Sequence, residues 1–376
     1  MTNGRDSRID FFRGLALIFI FWDHVPDNPL AQLTVRNFGF SDAAEIFVFL
    51  AGYAAVLAYG RIARRDGLLV ANLRILRRTW VLYVVHIFLL TLLMGIVFVA
   101  NNHVETRDMV QQMGLEYFVG NPQQALADEL LLRFKPNLTD PLPLYIVLLL
   151  ALPLILPLLL RRLEIAVGLS FLLYLMVPLQ GWNLRAYEGG GVWYFNPVAW
   201  QLLFVLGGAC ALRSESATAR PRRPLSQQSL FIAAALYVLT AGLLTFSEKW
   251  PGVHTLLVSA LHLEPLYPIS KTDLAPARLL HFLALVYVVT RLLPAHQGWL
   301  DNWPARQASR MGRYSLEIFC LGVLLAPLAD MANALADDTW SIRFTTALIG
   351  LGLMALMANG LELNKKLGKS AQPVPT

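Results

Sequence analysis

RIDFFRGLALIFIFWDHVPDN occupies residues 8–28. Its middle is apolar enough to enter a bilayer, yet it carries Asp10, Arg13, Asp23 and His24. An ionisable side chain inside a membrane span is costly and is a functional hypothesis by default. Whether this stretch is a membrane helix, and what its four polar groups do, decides how the rest of the chain is understood.

Composition settles the first half. Of 376 residues, 56% are hydrophobic and 15% charged, and the mean hydropathy is +0.52, well outside the range of ordinary soluble domains. Apolar runs of about 16 to 21 residues recur, close to the length that crosses a hydrocarbon core of about 30 Å. They lie at 9–27, 43–60, 79–99, 143–160, 164–179, 197–212, 229–247, 275–294, 314–332 and 342–360. These predict an all-α polytopic membrane protein with about ten transmembrane helices. The ninth run contains Glu317 and Pro327, so a buried or partly re-entrant segment stands as a second reading of it.

Loop charge supports the count. With a cytoplasmic N-terminus, the inside segments hold 22 of the 31 Lys and Arg residues, among them Arg61, Arg64, Arg65, Arg74, Arg77 and Arg78. The bias alternates at every crossing, which predicts both ends in the cytoplasm. The net charge of +6 thus describes inside loops; no zinc-finger spacing or basic helix points to nucleic acid. The sequence DHVPDNPL after the first run lacks a small-x-small cleavage site, so a retained helix is expected rather than a signal peptide. Cys210 and Cys320 both fall within apolar runs and imply neither a disulfide framework nor a thiolate metal site. No repeat or inverted duplication is visible. The segment 101–142 is the longest outside the membrane, with a short helix expected near PQQALADELLLRF. One transmembrane domain is expected over 1–362, with a disordered cytoplasmic tail at 363–376.

Helical geometry orders the polar groups. Eleven residues separate Arg13 from His24, about 20° past three full turns and about 16 Å along the axis. Asp10 falls near the same stripe, so one helix face links a cytoplasmic arginine with a histidine in the outer half. Arg13 reads equally as an interfacial anchor paired with Asp10, and His24 as a helix-end histidine in water. At the start of the second run, Asp42 and Glu45 read either as favourable N-terminal acids or as partners that fix a histidine tautomer. Asp23 competes with Glu45 for that role. Ala51 and Gly52 permit close helix approach. Arg74, Arg77 and Arg78 read as positive-inside anchors or as a bidentate phosphate site.

Outside, RAYEGGGVWYFNP offers Trp193, Tyr194 and Asn196 beside a glycine run; the aromatics suit either a sugar platform or a membrane-interface belt. Lys271, Arg278 and His281 flank the eighth run, as an anchor with a buried histidine or as an anion or acceptor site.

Arg13, ten residues and His24, then FVFLAGY at 47–53 and Arg74-Ile-Leu-Arg77, resemble the Arg-x10-His, FFxxSG and RxxR patterns of the third acyltransferase family of membrane enzymes. RNFGFSDAAEIFVFLAGY, FNPVAWQLLFVLG, KTDLAPARLLHFLAL and GRYSLEIFCLGVLL extend the likeness to about residue 325, closest to the branch that succinylates osmoregulated periplasmic glucans. Ala51 stands where the wider family usually has Ser. The resemblance implies a ten-helix inner-membrane enzyme using acyl-CoA, specifically succinyl-CoA, with His24 catalytic and Arg13, Arg74 and Arg77 on the donor side. It implies a periplasmic glucan acceptor; Asp42 and the outer aromatic and basic residues are the candidates to bind it. An O-acetyltransferase of another envelope polysaccharide, a proton-coupled transporter or sugar flippase, and a nonenzymatic scaffold are the rival readings.

Overall fold

The computed structural model describes residues 6–216, 225–293 and 298–370. Its helices in chain order are α1 Ser7–His24, α2 Ala43–Asp66, α3 Leu68–Asn101, α4 Met109–Gln112, α5 Glu116–Gly120, α6 Pro122–Leu130, α7 Pro141–Arg161, α8 Leu163–Gln180, α9 Pro197–Ser216, α10 Leu225–Ser247, α11 Pro251–Ala260, α12 Pro276–Leu292, α13 Trp303–Arg313, α14 Ser315–Leu335 and α15 Trp340–Ser370. Every apolar run becomes a helix. Eight of them, α2, α3, α7, α8, α9, α10, α14 and α15, are long and apolar enough to cross a membrane. The other two expected spans form α1, which carries four charged side chains in 18 residues, and α12, which has 17 residues. The chain is an all-α, multi-pass membrane protein whose surroundings are a lipid bilayer. Residues 363–370, expected in the tail, are the last turns of α15, because Leu363, Lys365, Lys366 and Leu367 are good helix formers. The rest of that tail lies outside the described residues.

The chain divides into two compact units. One comprises Met1–Thr34, Leu92–Met109 and Arg291–Thr376. Here Asp6 caps α1 by accepting from the Arg8 N–H at 3.0 Å. The helix then lies backbone to backbone against α13: a Cβ on Gly14 would strike the Ala308 carbonyl, and one on Gly312 the Asp10 carbonyl. α13 presents Ala305, Ala308, Met311 and Gly312 as its buried stripe. Phe21, 1% exposed, seats its ring against Gly350 and its Cβ near Gly322. α14 runs unbroken through Pro327, which removes the re-entrant reading, and pairs antiparallel with α15 through Thr346 to Asn333 at 2.7 Å and Tyr314 to Glu362 at 3.1 Å.

The other unit comprises Val35–Thr91 and Val110–Thr290. α2 and α9 run in the same direction, since Gly52 faces Phe204, Val56 faces Gly208 and Arg61 meets Glu215 at 2.7 Å, later residues of one helix pairing with later residues of the other. They cross where Gly52 faces the Phe204 carbonyl and Gly207 the Phe49 carbonyl, with no room for a side chain on either. This is the close approach that Ala51-Gly52 suggests, and membrane helices associate through such contacts because lipid supplies little hydrophobic drive. Phe40, Ala241, Leu244 and Ala277 form a further core cluster.

Candidate functional site

In the first unit the sequence places His24 as the last residue of α1, and the structure keeps it exposed. Its Nδ1 lies 2.5 Å from the Ile20 carbonyl. A carbonyl only accepts, so Nδ1 carries the proton and Nε2 is the basic nitrogen. The tautomer is thus set by the helix's own backbone. Beside it, Asp23 Oδ1 accepts from the buried Thr34 hydroxyl at 2.6 Å. Asn28, 3% exposed, donates to the Trp22 carbonyl at 3.0 Å and accepts from the Leu30 N–H at 3.0 Å. The turn after His24 is also tied by charge: Arg343 lies 3.3 Å from Asp27 and 3.3 Å from Asp338, and Arg107 bridges Asp338 at 2.7 Å and Asp330 at 3.3 Å. About three turns earlier on the same helix, Arg13 donates to the Ser315 hydroxyl. Asp10 is 5% exposed.

The second unit gathers most of the remaining candidates into one cluster. Asp42 and Glu45 form a capping box on α2: Asp42 accepts from the Ala44 N–H at 2.8 Å, and Glu45 Oε2 accepts from the Asp42 N–H at 2.8 Å. The same carboxylates are ion-paired. Lys271 lies 2.6 Å from Asp42, and Arg278 lies 3.2 Å from Asp42 and 2.6 Å from Glu45. The acids thus cap α2, as one reading of the sequence has it, and their charged partners are Lys271 and Arg278 rather than a histidine. Burial pushes the Asp42 carboxyl up, but Lys271 and Arg278 outweigh it and hold the group well below the usual carboxylate range. Burial likewise works against the Lys271 ammonium, and Asp42 more than restores it. Glu45 is 0% exposed, and both its oxygens are engaged inside this unit.

Around the cluster, the Ser41 hydroxyl meets His281 Nδ1 at 2.8 Å, while His281 Nε2 is buried with no partner. Lys271 Nζ lies 5.8 Å from the Tyr194 ring centre, and Tyr194 is 50% exposed. Asn196, 0% exposed, donates to the Trp182 carbonyl and to Asp273, and accepts from the Val198 N–H. It pins the start of α9 and offers nothing to a ligand. Trp193 is also buried, with Lys135 Nζ 3.8 Å from its ring centre. Of the expected sugar platform, only Tyr194 presents an open face.

The basic residues separate by their partners. Glu215 balances Arg61 at 2.7 Å and Arg64 at 2.5 Å; Asp66 takes Arg65 at 2.8 Å and, more loosely, Arg74 at 3.9 Å. Among the described residues no carboxylate lies within ion-pair distance of Arg77 or Arg78. Arg74 and Arg77 are exposed neighbours on α3, and Arg78 is half-buried.

Ser315, Thr34, Ser41, Asp273 and Lys135 hold or complete these arrangements and escaped the sequence reading. Ser41, Asp273 and Ser315 lie inside the stretches RNFGFSDAAEIFVFLAGY, KTDLAPARLLHFLAL and GRYSLEIFCLGVLL, the one signal the sequence carried for them.

A family model described as OpgC protein matches residues 5–366. No curated protein and no solved structure matches the chain.

Proposed function

This chain belongs to the OpgC protein family of glucan-modifying acyltransferases, and from that premise we propose that it moves a succinyl group from cytoplasmic succinyl-CoA to a hydroxyl of a periplasmic glucan, with His24 as general base. The observation that carries the reading is the His24 tautomer: Nδ1 donates to the Ile20 carbonyl, which makes Nε2 the nitrogen able to take a proton.

In this scheme the sugar hydroxyl gives its proton to Nε2 as its oxygen forms an ester bond with the acyl carbon. The carbon–sulfur bond of the thioester breaks, and the imidazolium returns the proton to the departing CoA thiolate. Arg77 and Arg78, with no carboxylate at ion-pair distance among the described residues, hold CoA phosphates together with Arg74; Arg13 stands on the same helix as His24, toward its cytoplasmic end. Such a route suits a donor made in the cytoplasm of a bacterial cell and an acceptor outside the inner membrane. The cluster of Asp42, Glu45, Lys271 and Arg278, with Tyr194, shapes the acceptor side. Asp23, held by Thr34, steadies the turn that carries His24.

The test uses the full chain in lipid nanodiscs with succinyl-CoA and purified periplasmic glucan, reading free CoA and the glucan ester by mass spectrometry. Wild type should yield both and His24→Ala neither, with the variant still folded. Wild-type turnover in His24→Ala overturns the base assignment. Transfer of acetyl in place of succinyl overturns the donor.

A further inference from the structure

A second polar group of side chains, in the unit of Val35–Thr91 and Val110–Thr290, plays no part in the scheme above. His86, in α3, is 0% exposed, and among the described residues neither ring nitrogen has a hydrogen-bond partner. A buried polar group left in this state is costly and calls for an explanation. Lys135 is near enough for its charge to act on His86. Its ammonium sits 3.8 Å from the Trp193 ring centre and 3.4 Å from the Leu132 carbonyl, and among the described residues no carboxylate lies at ion-pair distance. Asp140 interacts electrostatically with both Lys135 and Lys271 but lies within ion-pair distance of neither. By contrast, Lys271 and Arg278 are already matched by Asp42 and Glu45.

The segment carrying Lys135 is built rather than loose. Leu132 and Leu138 flank it with positive φ of 59° and 75°, a conformation that costs a non-glycine residue energy and persists only when its surroundings enforce it. Tyr83, on α3, donates to the Leu130 carbonyl at 2.9 Å, and Asn137 donates to the Gln112 carbonyl at 2.8 Å. Burial lowers the Lys135 ammonium to about 8 and raises the Asp140 carboxyl to about 6, so charges here interact in a poorly solvated setting.

We propose that Lys135, with His86 and on the face of Trp193, binds the free carboxylate of the transferred acyl group and so selects a dicarboxylic acyl donor over a neutral one. This rests on the succinyl-transfer reading and adds its specificity determinant. The placement suits it: from Arg78, a phosphate candidate, to His86 is eight residues, about 12 Å along α3 and about 80° around it, the direction in which the pantetheine arm must run. A carboxylate gives Lys135 a counter-charge at contact distance, which Asp140 does not supply, and gives an imidazole N–H an acceptor.

Butyryl-CoA has the same four-carbon length as succinyl-CoA without the carboxylate, and the ratio of kcat/KM for the two donors reads the site. The full chain in nanodiscs should favour succinyl-CoA. Lys135→Met should lower that ratio about 10- to 100-fold, the range expected for one charge-assisted hydrogen bond. Lys135→Arg should keep most of it. His86→Leu, on a different element, should lower it as well. Equilibrium binding supplies an arm independent of turnover: Lys135→Met should weaken succinyl-CoA and leave CoA unchanged. Equal weakening of CoA would make this a phosphate site and overturn the proposal, as would a ratio that survives both Lys135→Met and His86→Leu. Absence of transfer from either donor by wild type refutes the acyl-transfer reading instead, and the binding arm still decides this site.

Discussion

The turn at the end of α1 and the cluster at the start of α2 both bring ionisable groups to a helix end, and they treat them in opposite ways. At His24 itself, the Ile20 carbonyl orients an imidazole that stays exposed, while the Thr34 hydroxyl holds Asp23 and Arg343 pairs with Asp27 in the turn that follows. Around Glu45, two carboxylates meet two cations and the group is buried. A charge that is matched and desolvated is fixed in place; an imidazole that is oriented and solvent-exposed can exchange a proton with water. The contrast separates a group able to act from groups that hold shape.

The largest effect that tests this contrast is on turnover. His24→Ala should lower acyl transfer by about 10²- to 10⁴-fold, the usual contribution of a general base, with no loss of thermal stability. A matching loss of stability would place His24 among the structural groups.

Next, Glu45→Gln should act mainly on folding. It leaves Arg278 buried beside Asp42 alone, and breaking a buried pair costs about 3–5 kcal/mol, read as a lowered unfolding midpoint in detergent. Turnover lost at unchanged stability would move Glu45 to the reactive side of the comparison and return it to the role of orienting an imidazole.

A smaller effect is expected at the donor end. Arg74→Ala with Arg77→Ala should weaken CoA binding about tenfold and make the remainder less sensitive to salt. Arg77→Lys should recover part of it, because an ammonium keeps the charge and loses the bidentate fork. In sealed inside-out vesicles, externally added acyl-CoA should modify glucan trapped within, while right-side-out vesicles should stay inactive.

The smallest is a pH effect outside the membrane. Glu129, 2% exposed with Oε1 unpartnered, is pushed by burial from its ordinary value of 4.5 to about 7. The folded state therefore holds its proton more tightly than the unfolded chain, and its contribution is greatest below about pH 4.5 and is lost as pH rises through about 7. Glu129→Gln should stabilise the protein by about 1–3 kcal/mol at pH 8 and by less at pH 5, measured by denaturation at the two values.

Much of this was legible in the sequence, for a physical reason. Lipid forces every backbone group to pair within its own segment, so each apolar run could only become a helix, and all ten did. The Arg13 to His24 spacing was legible because one uninterrupted helix joins them. Partners from distant segments were not. Nothing local marks Lys271 as the counter-ion of Asp42, or Ser315 as the acceptor for Arg13, since each pairing is made by the fold across more than 200 residues. Trp193 and Asn196 misled for a related cause: a glycine-flanked aromatic run looks open, and only packing reveals that Lys135 covers one and α9 claims the other.

The crossing of α2 and α9 has a consequence for how the protein tolerates mutation. At Gly52 and Gly207 the obstructing atoms are main-chain carbonyls, of Phe204 and Phe49. A bulky side chain introduced beside another side chain can be rescued by trimming the neighbour, but a carbonyl cannot be trimmed by any substitution. These two positions are therefore beyond the reach of second-site suppressors, and a genetic screen starting from Gly52→Ala should return reversion to glycine rather than compensation elsewhere.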